Sequence, residues 1–286
     1  MRWAALTVEI GRTGALEAAE QLFYNAGIKG VAIDDTSTPV RVTGYLPEDE
    51  RLAGSVRAIN AALTLLPSIG VEGIDNQADV TYIEEDDWAT AWKKYFKPAR
   101  IGRRLVVTPP WEDPNLCPDE IAIVIDPGMA FGTGSHPTTR LCLEALEDAV
   151  APGATVADIG TGSGILAIAA SKLGASAVYA MDIDPLAVRI AGQNALVNSV
   201  TLTLSEEMPR QKVFDVVVAN IIADTLIELS HVLSSLTSPR GILIVSGIIA
   251  SRAQDVEKAF IQAGMSPVQG ETNGEWVAQT YHIQEG

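Results

Sequence analysis

Asp158-Ile159-Gly160-Thr161-Gly162-Ser163-Gly164 follows the apolar run Thr155-Val156-Ala157 and leads into Ile165-Leu166-Ala167-Ile168, and on its reading the fold turns. A strand over 155–159 passes through three glycines into a helix from Gly164 to Leu173. Glycines let main chain approach a ligand closely, and the helix start offers unpaired N–H groups to an anion. The spacing is DxGxGxG, not the GxGxxG of dinucleotide binders. Taken alone, the stretch is also readable as a tight strand-to-helix turn. Asp182 lies 22 residues beyond Gly160, at the end of the next apolar strand. A carboxylate there can accept both hydroxyl protons of a ribose. Asp184-Pro185 reads differently, as a helix N-cap followed by proline at the first helical position.

Working outward, the pattern from Arg100 is βαβα. Strands are expected at Leu105–Val107, Ile121–Ile125, Thr155–Ile159, Ala177–Asp182, Val213–Asn220, Gly241–Ser246 and Trp276–His282, with helices between. Runs such as Val216-Val217-Val218-Ala219 are apolar throughout, as strands buried on both faces require. Asn273-Gly274 predicts a hairpin joining Ser266–Thr272 to Trp276–Ile283, which makes the last strand antiparallel. The first 78 residues have a separate rhythm. Leu6, Val8 and Ile10 alternate along a strand. Leu16, Ala19, Leu22 and Phe23 fall at helical spacing, as do Val56, Ile59, Leu63 and Leu66, and short strands lie at Val31–Asp34 and Val40–Leu46. A last strand is expected in Val71–Ile74 or Val80–Ile83, and the order is the βαββαβ of ferredoxin-like domains. Residues 79–98 read as a connecting helix, acidic at its start, basic at its end and striped with Trp88, Trp92 and Tyr95.

Composition narrows the function. Hydrophobic residues make up 47%, and 36 acidic against 20 basic residues give a formal net charge of −16. Such a surface repels phosphate backbones and anionic headgroups and suits a cationic partner. No apolar run reaches the ~18–20 residues of a membrane span. The N-terminus does not read as a signal peptide. Cys117 and Cys142 form no CxxC, and His136, His231 and His282 lie far apart, so no metal site is expected. The reading is a cytoplasmic, monomeric protein.

Two further segments carry chemistry. Asp126 to Thr139 packs three glycines and two prolines into 14 residues between a strand and a helix, which implies a backbone shaped around something. Ser135 or Thr138 could cap the following helix, and His136 reads as a loop hydrogen-bonder. Asn220-Ile221-Ile222-Ala223 ends a strand, and Asn220 could accept a hydrogen bond from an amine or cap the next helix.

Together with Asp87 to Lys93 and Gly274 to Val277, these segments resemble the PrmA family over nearly the whole chain. Those are S-adenosylmethionine-dependent methyltransferases of the seven-stranded class that act on the stalk-base protein, number eleven, of the large ribosomal subunit. The resemblance implies an α/β fold: a seven-stranded Rossmann-like domain (99–286) with an antiparallel last strand. A small α+β ferredoxin-like domain (1–78) that recognises substrate and a linker helix (79–98) precede it. It implies methyl transfer to lysine side chains and the N-terminal amine of the ribosomal protein, and the acidic charge points to the free protein over the assembled, RNA-wrapped particle. Thr133, Gly160, Gly162, Asp182 and Asn220 would line the cofactor site, with Asn220 near the sulfonium end, orienting the amine. Related amino-group methyltransferases carry an aromatic in the fourth position of the Asn220 motif, where this chain has Ala223, so Phe131 and Trp276 are the candidate walls. The other readings are a lysine or glutamine methyltransferase of another protein, and a nicotinamide-dependent reductase using the Gly160 turn.

Overall fold

Strands buried on both faces need apolar residues at consecutive positions, and that is where the largest sheet forms. The computed structural model describes residues 2–11, 18–19, 22–24, 26–28, 31–34, 39–69, 73–84, 96–126, 136–210 and 213–284. The chain divides into two compact units, Met1–Lys97 and Pro98–Gly286.

In the first unit, β1 (Arg2–Ile10), β2 (Val31–Asp34), β3 (Val40–Pro47) and β4 (Asp79–Glu84) form an antiparallel sheet in the order β2-β3-β1-β4. Helix α1 (Leu52–Leu65) follows β3. Leu6, Val8 and Ile10 are buried as their alternation predicts, against Ala19, Phe23, Ile59 and Leu63 of the helical stretches. This is the split-βαβ sheet order expected from the sequence. The last strand differs from one expectation. Residues 79–84, assigned to the connector, pair with β1 from Thr7↔Asp79 to Arg2↔Glu84. The rival position contributes only an isolated bridge between Ile10 and Ile74, beside Gly73 at φ +82°. The run of β-branched and aromatic residues Val80-Thr81-Tyr82-Ile83 suits a strand better than the segment at that bend does. The centre of the expected linker helix, including Trp88, Trp92 and Tyr95, lies outside the described residues.

The second unit opens with a small sheet of β5 (Ala99–Ile101), β6 (Leu105–Thr108) and β7 (Ile121–Val124). The large sheet contains β8 (Thr155–Ile159), β9 (Ala177–Met181), β10 (Thr203–Ser205), β11 (Phe214–Asn220), β12 (Thr237–Ile249), β13 (Met265–Asn273) and β14 (Trp276–Ile283). Its order is β10-β9-β8-β11-β12-β14-β13. The pairs from β10 to β12 are parallel, and β14 runs antiparallel to both its neighbours. Two expected strands, β6 and β7, therefore belong to the small sheet. The place left at the edge of the large one is filled by β10, whose three residues are too few to show a period.

The helices are α2 (Pro137–Ala149), α3 (Ile165–Lys172), α4 (Pro185–Val197), α5 (Ala223–Leu236) and α6 (Ala253–Gln262). Alternate strand residues feed two cores. Val156, Val216, Val218 and Ile244 pack with Leu143, Leu146 and Ile168 of α2 and α3. Ala157, Val217, Leu243 and Val245 pack with Leu226, Leu233, Val256 and Phe260 of α5 and α6. Both faces are thus dry, each buried Leu, Val or Phe contributing about 1.5–3 kcal/mol, and ligand chemistry is left to the carboxyl edge of the parallel strands.

Candidate active site

The rim of the sheet is shaped first by the turn after β8. Gly160, Gly162 and Gly164 take φ of +78°, +53° and +82°, a region that costs L side chains about 1–2 kcal/mol. A Cβ at Gly160 would also collide with the Ile221 side chain. The Gly160 and Thr161 N–H groups both donate to the Met181 carbonyl at 2.9 Å, and Gly164 N donates to the Thr161 carbonyl at 2.8 Å. The turn is thereby fixed to the end of β9, with Gly160 and Gly162 half-buried.

Asp182 stands on that neighbouring strand end, half-buried. Its Oδ2 accepts from Gly162 N at 2.9 Å and its Oδ1 from Asp184 N at 3.0 Å. Each carboxylate oxygen keeps a further lone pair. Asp184 is the N-cap of α4, accepting from Leu186 N at 2.8 Å with Pro185 at the first position, as expected.

Beneath the turn, Asp158 is fully buried. Its Oδ2 accepts from Thr161 Oγ1 at 2.6 Å and Ala167 N at 3.1 Å, while Oδ1 has no hydrogen-bond partner. Burial pushes this carboxyl up to about 7, with the nearby Asp182 charge adding to the rise and the two donors opposing it.

On the other side of β8, Asn220 closes β11. It does not cap α5: the N-cap is Ile222, which makes no side-chain cap bond. The Asn220 amide instead points Nδ2 at Thr139 Oγ1 of α2, 3.5 Å away, the outer limit of a hydrogen bond. Beside it, Ile221 N donates to the Ser246 carbonyl at 3.1 Å. Gly247, at φ +85°, lies flat against the Ile221 peptide, where any Cβ would strike the carbonyl. Sequence reasoning missed Gly247, although a glycine at the end of an apolar strand is a signal of close backbone approach.

The glycine-dense loop enters α2 through His136. Its Nδ1 accepts from Thr138 N at 3.3 Å and lies 2.7 Å from Thr138 Oγ1. The cap is therefore His136 itself and not Thr138, whose hydroxyl is turned to the ring. The imidazole meets Trp276 edge-on, ring centres 4.9 Å apart. Burial lowers the His136 pKa, which favours the neutral ring. Thr133 and Phe131, named above for cofactor and wall, lie outside the described residues. Of the site residues named above, Gly160, Gly162, Asp182, Asn220 and Trp276 all stand in the second unit.

A family model described as ribosomal protein L11 methyltransferase (PrmA) matches residues 2–283. The chain belongs to this family. The ribosomal protein L11 methyltransferase of Alkaliphilus oremlandii is 37% identical over 97% of this chain and 97% of its own length. That of Geobacter metallireducens is 40% identical over 98% and 97%. The crystal structure of the ribosomal protein L11 methylase of Lactobacillus delbrueckii subsp. bulgaricus is similar at 35% identity and a TM-score of 0.63, over 66% of this chain and 100% of that one. The family uses S-adenosylmethionine. The rim suits that donor in kind: a turn whose glycines carry no side chains of their own, and a carboxylate with spare acceptor capacity at the adjacent strand end.

Proposed function

We propose that this enzyme transfers methyl groups from S-adenosylmethionine to amino groups of ribosomal protein L11, on lysine side chains and at the N-terminus. The observation that carries the reading is the placement of Asp182 just past the end of β9 and of Asn220 at the end of β11, the strands paired to either side of β8 and its glycine turn. Supporting it are the family match over residues 2–283 and relatives that carry this activity in their names.

When bound, S-adenosylmethionine supplies a methyl group already activated on a sulfonium. The chain has then to bind, orient and exclude water. Asp182 takes the ribose hydroxyls on the lone pairs that Gly162 and Asp184 leave unused, and Gly160 and Gly162 admit the ligand close to the main chain. Thr133, in the glycine-dense loop, completes this lining. Asn220 orients the amine through its side-chain oxygen, its Nδ2 being directed at Thr139. A free lysine ammonium lies ~3.4 units above neutral pH, so its neutral form costs about 4.6 kcal/mol to reach. Desolvation beside a second cation favours the neutral amine, which removes the need for a dedicated protein base. The neutral His136 adds no opposing charge. With Ala223 in the fourth place of the Asn220 motif, Trp276 and Phe131 supply the aromatic walls, which also attract a methylated ammonium and permit repeated rounds.

The first unit, in this reading, recognises the substrate protein. The net charge of −16 suits lysine-rich free L11 better than the RNA-wrapped subunit, so the enzyme works as a monomer on free L11 in the cytoplasm, without binding nucleic acid itself. Among the described residues no helix is long and apolar enough to cross a membrane. The test is transfer of labelled methyl from S-adenosylmethionine to purified L11 and to large subunits at low salt. Label on the lysines of free L11, and less on subunits, is expected. Equal labelling of both would contradict the preference for free protein, and label on another protein of a cell extract in place of L11 would overturn the substrate.

A further inference from the structure

Ile222 breaks a local rule beside Asn220. It holds the N-cap of α5 with extended dihedrals (φ −61°, ψ 148°) and gives the helix no side-chain cap. Ser, Thr, Asp or Asn at that position would accept from a first-turn N–H. Nor does the side chain serve the core, since it is 67% exposed. An apolar group is thus left in water at a place where a polar one would stabilise the helix, and such local conflicts concentrate at functional sites.

Its surroundings are rigid. The Ile221 peptide is pressed on Gly247, and Ile221 N is bonded to the Ser246 carbonyl at 3.1 Å. Two residues past Gly247, Ile249 is 39% exposed and pairs across the sheet with Trp276. Arg252 donates to Asp224 at 2.7 Å, clasping the first turn of α5 to the segment after β12. Ile222 and Ile249 therefore end two adjacent, mutually fastened segments on the rim that carries Asn220.

We infer that Ile222 forms an apolar lip that grips the methylene stem of the substrate lysine and sets specificity for that side chain. The inference rests on the reading that Asn220 orients the amine. A lysine reaching Asn220 with its nitrogen must lay a four-carbon stem across this rim. Burying methylenes on isoleucine favours a long aliphatic amine over a short one and asks nothing of the cofactor.

The experiment compares wild type with Ile222→Ser and Ile222→Leu in Tm, S-adenosylmethionine affinity and steady-state kinetics on L11. Serine restores the cap, so Tm is expected to rise by about 2–4 °C. The same variant is expected to raise KM for L11 about tenfold with donor affinity unchanged, and leucine to keep wild-type KM. A merely structural role moves stability and turnover together, whereas here they move apart. A raised Tm with wild-type KM, or a loss of donor affinity matching the rise in KM, would overturn the lip while leaving the proposed function standing. Wild-type enzyme that transfers no methyl to L11 would overturn both.

Discussion

Asp158 is a carboxyl held where its charge is unwelcome. In an unfolded chain it titrates near ~3.9, and in the folded protein burial raises it to about 7. Between those values the folded state holds the extra proton, so its contribution to stability is full below about pH 4 and is lost as pH rises through about 7. Asp158→Asn removes the titration while keeping an acceptor for Thr161 and Ala167. The Tm difference, variant minus wild type, should therefore become more positive between about pH 5 and about pH 8. A difference equal at both would show that Asp158 titrates normally. Gly247 makes a second prediction at this scale. Alanine there meets both a left-handed backbone at φ +85° and the Ile221 carbonyl. Gly247→Ala should cost about 2–5 kcal/mol in denaturant unfolding, and a loss within about 0.5 kcal/mol, typical of an unconstrained surface site, would mean the contact relaxes easily.

Elements were legible where caps and continuous apolar runs coincided. β8, β9 and β11 and the starts of α3 and α4 follow from Val156-Ala157, Val216 to Ala219, the glycine turn and Asp184-Pro185. Asp184→Ala should cost about 1 kcal/mol of stability and leave donor affinity unchanged, because Asp182 is held by the backbone N–H of residue 184, which the substitution keeps. Reduced affinity, measured by calorimetry, would tie the cap to the ligand site. The illegible pieces share a cause: their positions are decided by contacts distant in sequence. β10 has one apolar residue in three and owes its place to pairing with β9. β6 and β7 read as strands, yet nothing local tells which sheet they join. His136 as a cap was hidden because histidine rarely fills that position. Asn220 could as well have been a cap, and only the start of α5 at Ile222 shows it is not.

At the scale of the molecule, a net charge of −16 should draw a basic protein substrate from a distance. Attraction between exposed charges is screened beyond about 10 Å at 0.1 M salt. KM for L11 should therefore rise with ionic strength while donor affinity changes little, and a KM indifferent to salt would place recognition in apolar contacts alone. The central claim, however, concerns the rim of the large sheet, where an adenosyl group would rest on the Asp182 carboxylate. Calorimetric titration of S-adenosylhomocysteine into the wild type and into Asp182→Ala tests it most directly. The account predicts stoichiometric binding by the wild type and a loss of roughly ten- to a hundredfold in the variant, the worth of hydrogen bonds to a charged group. Equal affinity in the two proteins would contradict it.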